Sequence, residues 1–429
     1  MVTAALFVSL VVFLILNVPV GIAIGCSSLM AVLASGTLSH SYIVSTLVTS
    51  SDSFTIIAIP AFILAGELMG AGGVSKRLLA VFDIFVGRMY GGLAICTVLV
   101  CMFFAAVSGS GPATVAAVGG MVVPTMLEKG YSKEFTLACV ATAGSIGVII
   151  PPSIPMVIYG ISTSTSISAL FMGGFGPGIF IGLCLCILCY FYCKKQGWKG
   201  SGKKYTFKEA FAIIWDAKWA LINPVIILGG IYGGIFTPTE AAGVAAVYAF
   251  FCGVFLYKEL DLKQLFSTVA AACSTTGTTM VIIGCATAFT KILTIQQIPQ
   301  MVTNAILNVS DNKVVILILI NILLLIVGCF MDTTPAMMVL APILLPVGLA
   351  FNMNPVHFGL IMVVNLAIGF LTPPLGINLF VAARVGDTTL ETVVKGIVRF
   401  LIVMIFCLLV ITFWEPLTLT LPKLTGLVK

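Results

Sequence analysis

Two stretches of this chain follow one plan. Residues 106–156 read AVSGSGPATVAAVGGMVVPTMLEKGYSKEFTLACVATAGSIGVIIPPSIPM, and residues 330–380 read FMDTTPAMMVLAPILLPVGLAFNMNPVHFGLIMVVNLAIGFLTPPLGINLF. In each, a small polar cluster interrupts an apolar run: Ser108-Gly109-Ser110-Gly111-Pro112 in one, Asp332-Thr333-Thr334-Pro335 in the other. A helix-sized apolar segment follows, ending near Pro124 or Pro346. A Pro-Pro pair stands 27 residues further on, at Pro151-Pro152 and at Pro373-Pro374. The shared offset marks a duplication. A helix broken inside an apolar run is tolerated only where protein or a water-filled cavity surrounds it. Paired breaks in matching halves are the pattern of a secondary transporter.

Composition places the chain in a membrane. Hydrophobic residues make up 60% and charged residues 8%, against roughly 25% charged in a soluble protein. Long apolar runs separated by short connectors argue for a polytopic helical bundle and against a barrel. Thirteen cysteines are scattered through those runs and read as small hydrophobes. With two histidines, His40 and His357, a multi-histidine metal site is excluded, and the dense acidic motifs of membrane-embedded enzymes are absent. The reading is of a protein that is not an enzyme.

Charge sets orientation. The amino terminus has no basic n-region and too long an apolar run for a cleavable signal peptide. The first basic residue is Lys76, and positive charge gathers at Lys194, Lys195, Lys199, Lys203, Lys204, Lys208 and Lys218. The positive-inside rule puts that central loop in the cytoplasm. An odd number of crossings in each half then gives an inverted-topology repeat.

The expected fold class is an all-α polytopic membrane protein, with about eleven transmembrane helices and two re-entrant hairpins. The first repeat covers 1–204: hinged helices at 1–36, a hairpin at 41–70 with its apex at residues 50–55, and broken helices at 91–160. The second covers 205–429: helices at 219–262, a hairpin at 266–307 and broken helices at 313–385. Residues 73–89 read as an amphipathic surface helix.

Broken helices free backbone carbonyls that a desolvated hard cation can use. The candidate cation ligands are Ser53, Ser108, Gly109, Ser110, Gly147, Ile150 and Pro152 in the first half. Gly328, Asp332, Thr333, Gly369 and Thr372 are those of the second. Asp332 is the sharpest, since an intramembrane carboxylate costs at least ~2.5 kcal/mol unless paired, solvated or protonated. It could bind a cation, relay a proton or cap the helix that follows. Glu67 and Asp83 are weaker candidates, read as lying close to an interface. The helix amino termini created at the breaks favour an anionic substrate group, with Thr114, Ser145, Ser153, Thr334 and Asn378 as substrate-binding candidates.

Five motifs, AIPAFILAGELM, SGSGPATVAAVGG, GVIIPPSIPMVIYG, TPTEAAGVAA and GFLTPPLGINLFVAA, together resemble the large membrane subunit of tripartite ATP-independent periplasmic (TRAP) transporters. The resemblance spans nearly the whole chain. It implies a multi-pass protein of the bacterial inner membrane that takes up an organic acid (a dicarboxylate or sialic acid, for example) coupled to two or more sodium ions. Its implied partners are a small four-helix membrane subunit, a periplasmic substrate-binding protein and the lipid bilayer, with no nucleic acid. It implies an elevator mechanism, with a scaffold made of the helices at 1–36 and 219–262 plus peripheral segments and a transport domain holding both hairpins and both broken segments. The chain starts without the small subunit's four helices, which points to a separate small subunit. Proton coupling through Asp332 is the alternative.

Overall fold

The computed structural model describes residues 2–36, 40–50, 52–200, 202, 204–308 and 310–428. Ser51 of the expected hairpin apex and Lys203 of the basic loop lie outside them. Among the described residues there are twenty α-helices and no strand beyond one isolated bridge, Tyr90 to Lys199. The first half contains α1 (Val2–Ile15), α2 (Val20–Ser35), α3 (His40–Ser50), α4 (Ala58–Ala71) and α5 (Val74–Val86). It continues with α6 (Gly92–Ser108), α7 (Gly111–Glu128), α8 (Lys133–Ser145), α9 (Ile154–Thr163) and α10 (Ile167–Gln196). The second contains α11 (Phe207–Tyr232), α12 (Pro238–Phe251), α13 (Leu262–Ile295), α14 (Ile298–Leu307) and α15 (Lys313–Phe330). It ends with α16 (Thr333–Ala350), α17 (Pro355–Gly369), α18 (Ile377–Val385), α19 (Leu390–Phe413) and α20 (Pro416–Leu424). Eight helical segments of the described residues are long and apolar enough to cross a bilayer.

The halves repeat in order. Each opens on a hinged pair. Asn17 adopts a left-handed φ of 60° between α1 and α2. Gly234 does the same, at 68°, before α12. A capping box starts α12: the Thr237 N–H donates to Glu240 Oε2 at 2.8 Å, and the Glu240 N–H donates to Thr237 Oγ1 at 3.3 Å. The helix–break–helix pairs are α6/α7 and α15/α16, of 17 and 18 residues and of 18 and 18. Pro124 and Pro346 lie inside α7 and α16 instead of ending them, because intramembrane helices re-satisfy the carbonyl that a proline frees. The second breaks, between α8 and α9 and between α17 and α18, hold the Pro-Pro pairs, and both Pro-Pro bonds are cis. The repeats interlock: α9 packs on α16, and α18 packs on α7 and α8.

The two stretches expected to be hairpins fold differently from each other. In 41–70, a 3-10 turn at Phe54–Ile57 runs into α4 and makes one apolar segment of 18 residues. α3 packs on α2 and α13, and α4 on α12, α13 and α6. In 266–307, α13 runs unbroken for 34 residues and turns only at Gln297, φ 53°, before α14. Threonines within it support the helix. Thr287 Oγ1 donates to the Ile283 carbonyl at 2.8 Å, and Thr294 Oγ1 to that of Thr290 at 3.0 Å.

The amphipathic α5 is held from one end to the other. Arg77 pairs with Asp216 of α11 at 3.2 Å and with Glu259 at 3.1 Å, and its guanidinium lies 3.8 Å over the Tyr257 ring. One turn and a half later, Asp83 accepts from the Tyr205 hydroxyl at 2.6 Å. Burial and that carboxylate push the Tyr205 phenol up to about 12.

Candidate functional site

Four breaks meet at one cavity of about 220 Å³. Ser108, Gly109 and Ser110 come from the α6/α7 break, and Asp332, Thr333 and Thr334 from α15/α16. Val148 and Ile154 come from the first Pro-Pro break, Phe370 and Ile377 from the second. The opposite wall is made by Gly66 and Glu67 of α4 with Thr275 and Thr279 of α13. Helices α7, α9, α16 and α18 all begin here, so four amino termini direct partial positive charge at one volume. Among the described residues lining it there is no Lys, Arg or His.

The first break is an oxygen cluster. The Ser108 and Thr114 hydroxyls lie 3.0 Å apart, and Thr114 Oγ1 donates to the Ser110 carbonyl at 2.7 Å. Gly109 takes a left-handed φ of 61°, and a side chain there would meet the Pro152 carbonyl at 2.8 Å. Gly147 is pressed against the same group: an added Cβ would lie 2.6 Å from Thr114 Oγ1 and 2.7 Å from the Ser110 carbonyl oxygen. The fold thus gathers Ser108, Gly109, Ser110, Thr114, Gly147 and Pro152. Gly147→Ala is expected to displace Thr114 and Ser110 and to cut substrate uptake at least about tenfold, while total helix content by circular dichroism stays unchanged.

The second break is built differently. Asp332 starts α16, its Oδ1 accepting from the Thr333 N–H at 2.6 Å and facing the Thr333 hydroxyl at 3.4 Å. Behind it, Gly328 of α15 and Gly369 of α17 meet backbone to backbone. Thr372 Oγ1 donates to the Ile368 carbonyl at 3.1 Å. Gly328, Gly369 and Thr372 buttress the break and are not part of the cavity wall. Asn378 joins the two halves. Its Nδ2 donates to the Ala141 carbonyl of α8 at 3.1 Å, its backbone N–H to the Phe370 carbonyl at 3.2 Å, and its buried Oδ1 faces Gly111 without a hydrogen-bond partner.

Four candidates fall away from the cavity. Ser53 lines a separate cavity of about 660 Å³ with Thr55, Ser164, Thr165 and Thr237, because it stands at the start of the 3-10 turn that leads into α4. Ile150 packs its side chain against Gly178 of α10. Ser145 Oγ donates to the Thr142 carbonyl at 2.7 Å and Ser153 Oγ to that of Val148 at 2.6 Å. Both serines are buried and engaged with their own chain.

Thr275, Thr279 and Phe370 are wall residues the sequence reading did not select, and Glu67, read there as a weaker candidate close to an interface, lines the cavity with them. Glu67 stands in an apolar run, and that alone is a signal. Thr275 and Thr279 are one helical turn apart, so they share a face, yet nothing local marks which face.

A family model described as "Tripartite ATP-independent periplasmic transporter, DctM component" matches residues 7–417. The isethionate TRAP transporter permease protein DctMQ of Oleidesulfovibrio alaskensis is 48% identical over 408 residues, 95% of this chain and 64% of that protein. The chain therefore spans under two thirds of that relative's length. The C4-dicarboxylate TRAP transporter large permease protein DctM of Vibrio cholerae is 39% identical over 99% of this chain and 98% of its own. The sialic acid TRAP transporter large permease protein SiaM of the same species is 35% identical over 95% of each. Among solved structures, the YdaH transporter of Alcanivorax borkumensis superposes with a TM-score of 0.62 at 14% identity, covering 89% of this chain and 90% of that one. That likeness concerns the fold alone.

Proposed function

Because the chain belongs to the DctM-component family of tripartite ATP-independent periplasmic transporters, a family of multi-pass inner-membrane permeases and not of enzymes, we propose that it performs sodium-coupled uptake of an organic acid. The acid arrives from a periplasmic binding protein, and a small four-helix membrane subunit completes the permease.

The observation that carries this reading is the convergence of four helix amino termini on a cavity without a basic side chain. Amino termini favour an oxyanion. Glu67 and Asp332 place two carboxylates on facing walls of the same cavity, so the anion needs cations bound with it. The oxygen clusters at Ser108–Thr114 and at Asp332–Thr333 suit a hard ion such as sodium, one in each half. The membrane potential supports the same choice. An inside-negative potential opposes entry of a monovalent anion by ~2.3 kcal/mol per 100 mV, and two or more sodium ions reverse the sign.

The wall is also divided in a way that suits an elevator. The breaks belong to interlocked helices of both repeats, and α4 and α13 supply the facing side. The test is uptake of labelled organic acids into proteoliposomes holding the permease, the small subunit and the binding protein. Accumulation driven by an inward sodium gradient, and lost when potassium replaces sodium at constant pH, is the expected result. Uptake that survives sodium removal and follows a proton gradient would replace sodium by proton coupling.

A further inference from the structure

Resting on the organic-acid reading above, we infer that the substrate is a short acid with a single oxyanion at one end and a hydrogen-bond donor, a hydroxyl or an ammonium, at the other. The two sides of the cavity differ in what they can offer. The side made by the breaks presents amino termini, hence donors, to an oxyanion, and its one carboxylate, Asp332, is taken up with the cation proposed above. The side made by α4 and α13 presents acceptors. Thr275 Oγ1 donates its proton to the Ala271 carbonyl at 3.1 Å, and Thr279 Oγ1 to that of Thr275 at 2.8 Å. With those protons engaged, both hydroxyls turn only lone pairs to the cavity. Glu67 adds an ionisable carboxyl on the same side. A second carboxylate would face acceptors there; a hydroxyl or ammonium would be met by them.

Size narrows the class further. With water's share of liquid volume near ~30 Å³, a cavity of about 220 Å³ admits a ligand of roughly seven to ten non-hydrogen atoms. A two-carbon hydroxysulfonate has roughly seven and fills that volume, whereas a sialic acid has roughly twenty and exceeds it. Two parts of the wall are closely packed. A Cβ on Gly66 would lie 2.9 Å from Ser108 Cα, so α4 and the first break already touch. The Phe370 ring lies 3.2 Å from where a Gly111 Cβ would be, and it is 3% exposed.

The experiment measures stabilisation of the purified permease in detergent with sodium, titrating four acids: isethionate, ethanesulfonate, succinate and N-acetylneuraminate. Ethanesulfonate is isethionate without its hydroxyl. Isethionate is expected to act at concentrations at least about tenfold below each of the other three. The Thr275→Val/Thr279→Val double variant keeps the wall's shape and removes its lone pairs. In it, the preference for isethionate over ethanesulfonate is expected to fall at least about threefold. Phe370→Ala is expected to admit N-acetylneuraminate. Equal action of isethionate and ethanesulfonate, or stronger action of succinate or N-acetylneuraminate on the wild type, overturns the inference and leaves the organic-acid reading standing. If sodium stabilises the protein and none of the four acids adds to it, the organic-acid reading falls, and this inference with it. The wild-type series decides the question even if a variant fails to fold.

Discussion

Asp332→Asn is expected to raise the sodium concentration for half-maximal uptake by roughly thirtyfold or more, with the protein still folded. Asparagine caps a helix about as well as aspartate, so the bond from the Thr333 N–H, 2.6 Å in the native chain, has an equivalent acceptor. What disappears is the charge. Removing one member of a closely opposed pair of charges costs about 2–5 kcal/mol, and about 2 kcal/mol is already roughly thirtyfold in affinity. The measurement is initial uptake against sodium concentration at fixed substrate, beside a thermal unfolding curve. An unchanged half-saturation would leave Asp332 as a helix cap alone, and the ion would have to be held elsewhere.

A second large effect should come from a residue outside the cavity. Gly369→Val is expected to destabilise the protein by about 3 kcal/mol or more. An added Cβ would lie 2.5 Å from both the carbonyl carbon and oxygen of Gly328, and 2.6 Å from its Cα. These are backbone atoms in α15, so no flexible side chain can move aside. Gly243→Ala in α12 is the control, since nothing lies within 4 Å of its added Cβ. There, alanine should be neutral or stabilising by up to ~1 kcal/mol through its better helix propensity. Thermal midpoints of both variants in detergent give the comparison. Equal midpoints would mean that α15 and α17 part easily, contrary to their close crossing.

Local chemistry made much of this legible. Glycine, serine and proline at 108–112, and aspartate before Thr333, mark places where a helix cannot simply continue, and the helices stop there. The hinges at Asn17–Pro19 and Gly233–Pro238 read in the same way. The apex expected within 266–307 failed because polar residues in an apolar run have two meanings. At 52–55 they begin a helix. At 287 and 294 they hydrogen-bond back to their own helix, and at 290 to the Met338 carbonyl of α16, and the helix stays intact. A sequence shows the hydroxyl and not the carbonyl it chooses. The facing wall was beyond reach for another reason. Glu67 meets Thr275 and Thr279 across some two hundred residues of chain, and only the packing of α4 on α13 brings them together.

The contact of Gly66 with Ser108 bears on movement as well as on size. One helical turn along α4, Gly70 faces Ala117 at 3.5 Å and the tip of Phe104 at 3.6 Å, measured from an added Cβ. Along this edge α4 offers α6 and α7 no projecting side chain at either glycine. Interdigitated helices must unpack before they shift, because knobs have to leave their holes. Surfaces joined through glycine can stay in contact while they translate. The edge of α4 would then act as a smooth rail, firm against compression and weak against shear. A bulky residue at Gly66 would act as a brake, slowing the proposed elevator stroke before it altered what the cavity binds.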